Sequence, residues 1–230
     1  MASISSEIWA YTLGLVPYAK AWKLQQDLFP LVLERKIPDV LLFLEHPHVY
    51  TLGKHGKEEN LLLGEEELRS RGVQFFRTDR GGDITYHGPG QMVAYFVFFL
   101  EDLGVKQFVE ILEELVISTL EDFGINGERI PGKPGVWVKN RKICSIGIAV
   151  KHRVTQHGLA LNVSPDLSYF SFINPCGEPN LLLTSLERES GKKVDLAEVI
   201  RIFALHAEKK FERSLYFRLK EEIWRYYSPL

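Results

Sequence analysis

Cysteine is scarce in this 230-residue chain, where Cys144 and Cys176 are the only two. Two thiols cannot build the disulfide framework of a small secreted domain, and free thiols persist where the surroundings are reducing. Long apolar runs are lacking as well: the stretches 40–44 and 92–100 fall well short of the about 20 residues that cross a bilayer. The opening Met-Ala-Ser-Ile-Ser-Ser-Glu has no basic segment followed by an apolar one, so no secretory signal is legible. These absences point to a cytoplasmic protein with no membrane partner. The generic nucleotide and hydrolase signatures are also missing. There is no Walker A sequence and no G-x-S-x-G elbow, and the glycine-rich stretch 80–91 contains no G-x-G-x-x-G. No zinc-finger spacing or ribonucleoprotein aromatic motif argues for nucleic acid. His46 and His48 flank Pro47 but find no third ligand at useful spacing, so no metal is expected.

Acidic residues vanish from one window. Between Arg129 and Pro165 there is no Asp or Glu, while Arg129, Lys133, Lys139, Arg141, Lys142, Lys151 and Arg153 fall within it. Set in a chain of net charge −2, such a window suggests a basic face that meets an acidic partner or an anionic substrate.

What is present is concentrated in residues 80–91, which read Arg-Gly-Gly-Asp-Ile-Thr-Tyr-His-Gly-Pro-Gly-Gln. Four glycines and a proline forbid a plain helix or a plain strand there, and glycine lets backbone approach a ligand closely. The stretch also carries a guanidinium, a carboxylate, hydroxyls and an imidazole, the furnishings of a functional loop.

Around it the pattern alternates between strands and helices. Pro17 opens an amphipathic helix with Tyr18, Trp22, Leu28 and Val32 on its apolar side, bent or split at Pro30. Strands are expected over 39–45, 73–76, 92–100, 136–138, 143–150 and 158–163, with 92–100 central in a sheet. Residues 151–156 join the last two as a hairpin. A helix over 105–123 carries Phe108, Val109, Leu112, Leu115, Val116, Leu120 and Phe123 at the 3.6 period and stops at Gly124. The tail reads as helical: Asp195 and Glu198 form a capping-box-like start, and a short helix follows around 219–226. No repeat or linker divides the chain. The expectation is one domain over 1–230, of α/β (α+β) class, a mixed β-sheet flanked by helices.

Cys176 lies in Asn-Pro-Cys-Gly-Glu-Pro, a rigid loop able to hold a nucleophile in one orientation. Cys144 shares strand parity with Ile146, Ile148 and Val150 and reads as a packed residue. A free thiol ionises near about 8.5 and needs a cation or base beside it at neutral pH. Lys142, His87 and His157 are the candidates.

Taken together, Arg80 to Gln91, Gly135-Val-Trp, Lys142 to Gly147, His157 to Asn162 and Asn174-Pro-Cys-Gly177 closely resemble the octanoyltransferase family of lipoate biosynthesis. Glu45-His-Pro47 and Tyr50-Thr-Leu-Gly53 add to the likeness, which spans about residues 10–190 and leaves the C-terminal helices out. The resemblance implies the fold of the biotin and lipoate protein ligases. It implies transfer of an octanoyl group from octanoyl-acyl carrier protein to a lysine of lipoyl domains, which belong to 2-oxoacid dehydrogenases and the glycine cleavage H protein. Cys176 matches the acyl-thioester nucleophile and Lys142 the lysine that activates it. Substrate-binding segments are implied at Arg80, Gly81, Gly82, Asp83, Ile84, Thr85, Tyr86 and His87, at Ser145, Ile146 and Gly147, and at Gly158, Leu159 and Ala160. Gly81, Gly82 and Gly147 would leave room for the acyl chain. A thioester is already activated, so no cofactor is implied. Two other readings of the same fold remain: an ATP-dependent lipoate or biotin ligase that needs no cysteine, and a non-catalytic acyl-binding scaffold.

Overall fold

Alternation with a period of two builds the centre of the molecule. The computed structural model describes residues 6–229; residues 1–5, part of the stretch read above for a secretory signal, and residue 230 lie outside the described residues. The chain runs through β1 (Glu7–Leu15), α1 (Tyr18–Leu33), β2 (Asp39–Glu45), β3 (Val49–Leu52), α2 (Glu65–Ser70), β4 (Gln74–Arg77), β5 (Ile84–His87) and β6 (Gln91–Val97). It continues through α3 (Val105–Asp122), β7 (Glu128–Ile130), β8 (Lys133–Val138), β9 (Arg141–Lys151) and β10 (Val154–Asn162). Then come α4 (Leu186–Ser190), α5 (Leu196–Phe211), β11 (Ser214–Phe217) and α6 (Lys220–Ile223).

Among the described residues, one sheet has eight strands in the order β11-β1-β2-β6-β10-β9-β8-β7, and a smaller sheet has three in the order β4-β3-β5. In the large sheet β1 pairs parallel with β2 and β11, and the other pairings are antiparallel. This is the mixed sheet the sequence predicts. The central strands β2 and β6 are apolar on both sides because both faces are covered. Leu41, Phe43, Met92, Ala94 and Phe96 pack under α3 and α5, and the alternate residues Val40, Leu42, Leu44, Val93, Tyr95 and Val97 pack under α1.

Several boundaries differ from the sequence expectation, each for a tertiary reason. Pro30 stays inside α1, which neither splits nor stops there. The glycine-rich stretch does hold a plain strand: the glycine-free tetrad Ile84–His87 pairs antiparallel with β3. The tail is not all helix, since β11 adds parallel to β1, and four residues carry too little periodicity to announce a strand. The hairpin between β9 and β10 is tight, turning at His152 and Arg153, both at positive φ. The strand expected from 158 therefore starts four residues earlier, and His157 sits inside β10. It holds a φ of 61°, a left-handed conformation that a non-glycine residue keeps only where its surroundings enforce it.

The basic window does not survive as a basic face. Arg129 pairs with Glu113 and Glu114, Lys133 with Glu178, Arg141 with Glu189, and Arg153 with Asp102, every acid lying outside the window. Lys142 turns inward, which leaves Lys139 and Lys151. Charge density along the sequence had counted side chains whose partners arrive from other elements.

Candidate active site

The loop after β10 brings Cys176 back over the strand that carries Lys142. Three contacts dock it. Lys142 N–H donates to Leu182 O at 2.8 Å, Thr184 N–H donates to Lys142 O at 3.0 Å, and Asn174 N–H donates to Asn60 O at 2.8 Å. The result places Lys142 Nζ 3.2 Å from Cys176 Sγ. The contact inferred from the resemblance is thus a feature of the folded chain. The two partners sit differently. Lys142 is 4 % exposed, with its ammonium 5.3 Å from the centre of the Trp137 ring. Cys176 is exposed and adopts φ 58°, ψ 19°, a conformation that raises its thiol out of a short turn between Pro175 and Gly177. Cys144 is buried, and burial pushes its thiol up, which leaves it inert.

Two cavities meet at this pair. The inner one, about 50 Å³, is enclosed by Arg80, Gly82, Asp83, Ile84, Thr85 and His87 on one side. Across from them Ser145, Ile146 and Gly147 on β9 face Gly158, Leu159 and Ala160 on β10. These two triplets are cross-strand partners: Gly147 opposes Gly158, Ile146 opposes Leu159 and Ser145 opposes Ala160. The outer cavity, about 400 Å³, shares Gly82, Asp83, Lys142, Ile146, Gly147 and Cys176 with the inner one and opens past Val109, Pro134 and Trp137.

Two of the expected site residues stand apart. Gly81 faces only the outer cavity. Tyr86 points the other way, because β5 alternates: its ring stacks on Tyr169 in the small core, and its hydroxyl meets His48 Nδ1 at 2.7 Å. Gly147 does more than clear space for a chain, since a Cβ there would stand 2.9 Å from the Gly81 carbonyl oxygen. That glycine lets β9 touch the 80–82 backbone, where Gly81 N–H donates to Ile148 O at 2.9 Å.

The floor of the inner cavity includes groups that sequence reasoning missed or misfiled. Tyr18 reads with an apolar helix face and Tyr95 with an apolar strand, yet both line the cavity. His157 Nε2 bonds Asp79 Oδ1 at 2.9 Å, and Gln25 Oε1 accepts its backbone N–H at 2.6 Å. Burial keeps this floor largely uncharged. It pushes His157 down against the pull of Asp79, holds His87 well below the ordinary imidazole range, and raises Tyr18 and Tyr95. Arg80 is the cationic exception. Burial pulls its guanidinium down, while the neighbouring Tyr18 hydroxyl and Cys176 thiol favour the charged form. Arg80 donates to Thr51 Oγ1 from Nε at 3.2 Å and to Gly81 O from Nη1 at 2.9 Å, so the charge is fixed in place.

Asp83 and Asn60 brace the thiol loop. Asp83 Oδ2 accepts from Asn60 Nδ2 at 2.8 Å, and Oδ1 accepts from Ile84 N–H at 2.6 Å. A Cβ on Gly177, whose φ is 70°, would stand 2.9 Å from Asp83 Oδ2, so the loop is pressed against this carboxylate. Nothing in the local sequence marks Asn60.

Among the described residues, no group of three or more His, Cys, Asp or Glu side chains is placed to hold a metal ion. The His-Pro-His histidines are structural: His46 bonds Val16 O at 2.6 Å and Tyr95 OH at 2.7 Å. No described helix is long and apolar enough to cross a membrane.

Comparison with known proteins identifies the family and the fold. Residues 17–208 match the lipoyl protein ligase A/B catalytic domain family. An octanoyltransferase of Bacteroides fragilis (strain YCH46) is 48 % identical over 197 residues, 80 % of this chain and 89 % of that protein. One from Christiangramia forsetii is 40 % identical over 234 residues, 94 % of this chain and all of that protein. Among solved structures, a lipoate-protein ligase A bound with ATP superposes with a TM-score of 0.77 at 15 % identity, covering 94 % of this chain and 92 % of that one. The biotin protein ligase of Aquifex aeolicus gives 0.51 at 11 % identity, covering 89 % and 69 %. These two share the fold. The chain belongs to the lipoyl protein ligase A/B catalytic domain family and, within it, to the octanoyltransferases.

Proposed function

Starting from that membership, we propose that the chain, acting as one catalytic domain in the cytoplasm, moves an octanoyl group from octanoyl-acyl carrier protein to a lysine of lipoyl domains. The acceptors are those of 2-oxoacid dehydrogenases and the glycine cleavage H protein, and the transfer passes through a thioester on Cys176. The observation that carries this reading is the 3.2 Å contact between Lys142 Nζ and Cys176 Sγ where the two cavities join.

The chemistry follows from the groups present. The ammonium donates to the sulfur and favours its thiolate, the form that attacks. Sγ adds to the donor's thioester carbonyl, the bond to the carrier sulfur breaks, and the carrier leaves as a thiol after taking a proton from the Lys142 ammonium, which leaves Lys142 neutral. Covalent catalysis then needs only one large protein at the site at a time. The acceptor amine adds to the Cys176 thioester carbonyl and loses a proton to Lys142, acting as base. The Cys176 thiolate leaves and the amide is formed. The fixed guanidinium of Arg80 supplies positive charge near the carbonyl oxygen as it becomes anionic. The seven apolar carbons of an octanoyl chain, at about 0.8 kcal/mol each, supply about 5–6 kcal/mol if fully buried.

Cys176→Ser tests this reading directly. It abolishes a hydroxylamine-labile octanoyl-enzyme, while Cys144→Ser leaves that adduct at wild-type yield. Persistence of the adduct in Cys176→Ser rejects the proposed nucleophile. Octanoylation of a lipoyl domain that needs ATP and ignores the carrier thioester supports the ligase reading instead.

A further inference from the structure

Helix α3 buries one carboxylate among its apolar residues. Phe108, Leu112, Leu115, Val116 and Leu120 face the sheet, and Glu113, 7 % exposed, faces it with them. Its two oxygens tie two strands. Oε1 accepts Gly135 N–H at 2.9 Å and Oε2 accepts Arg129 Nε–H at 3.1 Å. Neither bond involves the reacting groups, and nothing in the proposed transfer uses Glu113 itself.

Gly135 is where this tie reaches the site. Its φ is +125°, and a Cβ there would stand 2.4 Å from the Cys144 carbonyl oxygen, 2.7 Å from Lys142 Cε and 3.3 Å from Lys142 Nζ. The β8 backbone is therefore pressed directly against the lysine side chain. The register between β8 and β9 slips just beyond, between Val136, opposite Cys144, and Trp137, opposite Lys142. Such an irregularity re-aims side chains locally. Trp137 forms part of the same wall. The path runs without a gap from the Glu113 carboxylate, through the Gly135 N–H and the irregular strand, to the Lys142 side chain and on to Cys176 Sγ.

We propose that Glu113 is a positioning residue for Lys142: its carboxylate fixes Gly135 in the strand irregularity and so sets where the ammonium lies relative to the thiol. The inference rests on Lys142 and Cys176 acting as a pair. Arg129 balances the charge of Glu113, so the role is geometric: what matters is a hydrogen-bond acceptor at this point, not its charge.

The test reads the thiol without any acyl donor. Iodoacetamide alkylation of Cys176 is followed against pH in wild type, Lys142→Ala, Glu113→Leu and Glu113→Gln, with a thermal melt of each. The expected result is that Glu113→Leu lowers the alkylation rate at neutral pH about tenfold and moves its pH profile upward, in the direction of Lys142→Ala. Glu113→Gln, which keeps an acceptor for Gly135, stays close to wild type. A folded Glu113→Leu with the wild-type profile overturns the proposal. So does a Glu113→Gln that behaves like Glu113→Leu, because charge and not the acceptor would then matter. If Glu113→Leu does not fold, Glu113→Ala is read in its place: it removes the acceptor for Gly135 N–H without adding bulk and must produce the same upward displacement, and a wild-type profile overturns the idea. An unchanged profile in Lys142→Ala marks failure of the pair itself, distinct from failure of its positioning.

Discussion

Lys142 and Cys176, the pair proposed to react, are held in opposite ways. Lys142 is embedded: it lies in β9, is buried, and is walled by Gly135 and Trp137. Cys176 is suspended: it sits in a loop, is exposed, and adopts a left-handed conformation in a turn closed by its own neighbours, with Gly177 N–H donating to Asn174 O and Glu178 N–H to Pro175 O. The difference teaches how this site divides its work. In the proposed transfer, the buried cation in a strand gives a fixed electrostatic reference, while the exposed thiol on a braced loop meets donor and acceptor in turn. The lysine side owes its position to the sheet, and the cysteine side to Asn60, Asp83 and the contacts with Leu182 and Thr184.

Removing the embedded member breaks the comparison most severely. Lys142→Met removes both the charge beside the thiolate and the base for the amine, so octanoyl transfer falls by about 10²–10⁴-fold. Single-turnover acylation and acceptor transfer, measured separately, both slow. A loss confined to one step means that Lys142 serves only that step.

Loosening the suspended member is milder. Asn60→Ala takes the donor from Asp83 while leaving both reacting groups in place, and transfer drops about tenfold through a less ordered nucleophile, roughly the rate cost of 1.4 kcal/mol in positioning. Fold stability changes little, because the lost bond is partly buried and worth about 1 kcal/mol. Activity and melting temperature falling in proportion would make Asn60 a stability residue only.

Acid sharpens the contrast from the buried side. Burial pushes His46 down to about 4 from the ordinary 6.5. A histidine whose folded value lies below its unfolded one favours folding above the unfolded value, and that contribution is lost as pH falls through the folded one. Between pH 6.5 and about 4, His46 therefore contributes a loss on the order of 3 kcal/mol. His87 and His157 are shifted in the same direction and add to it. Denaturant unfolding at stepped pH shows the decline, and His46→Gln flattens it. A decline as steep in His46→Gln as in wild type refutes the assignment.

The suspended side was the more legible of the two in sequence. Two prolines and a glycine around Cys176 announced a rigid turn, and an exposed turn depends mostly on its own residues. The triplets 145–147 and 158–160 came from the family resemblance, which gives no sign that they are paired on adjacent strands. The central sheet was readable because β2 and β6 are apolar on both faces and α3 keeps a clean period. What escaped depends on distant partners. The strands β1, β3 and β11 are defined by pairing, Asn60 acts through Asp83 some twenty residues later, and the polar floor is made by tyrosines whose rings look apolar in a pattern. Glu113 was invisible for the same reason, since a carboxylate on a helix reads as solvated until the strand it binds is known. The basic window is the converse case, a sequence signal erased by partners from other elements.

The central claim is that an activated thioester acylates Cys176 without nucleotide. Intact-protein mass spectrometry, followed by peptide mapping, reads this after mixing the protein with octanoyl-acyl carrier protein in the absence of ATP. The account predicts a gain of one octanoyl group, localised to Cys176 and discharged when a lipoyl domain is added. An unmodified protein that still octanoylates the lipoyl domain, or an adduct on any other residue, would contradict it.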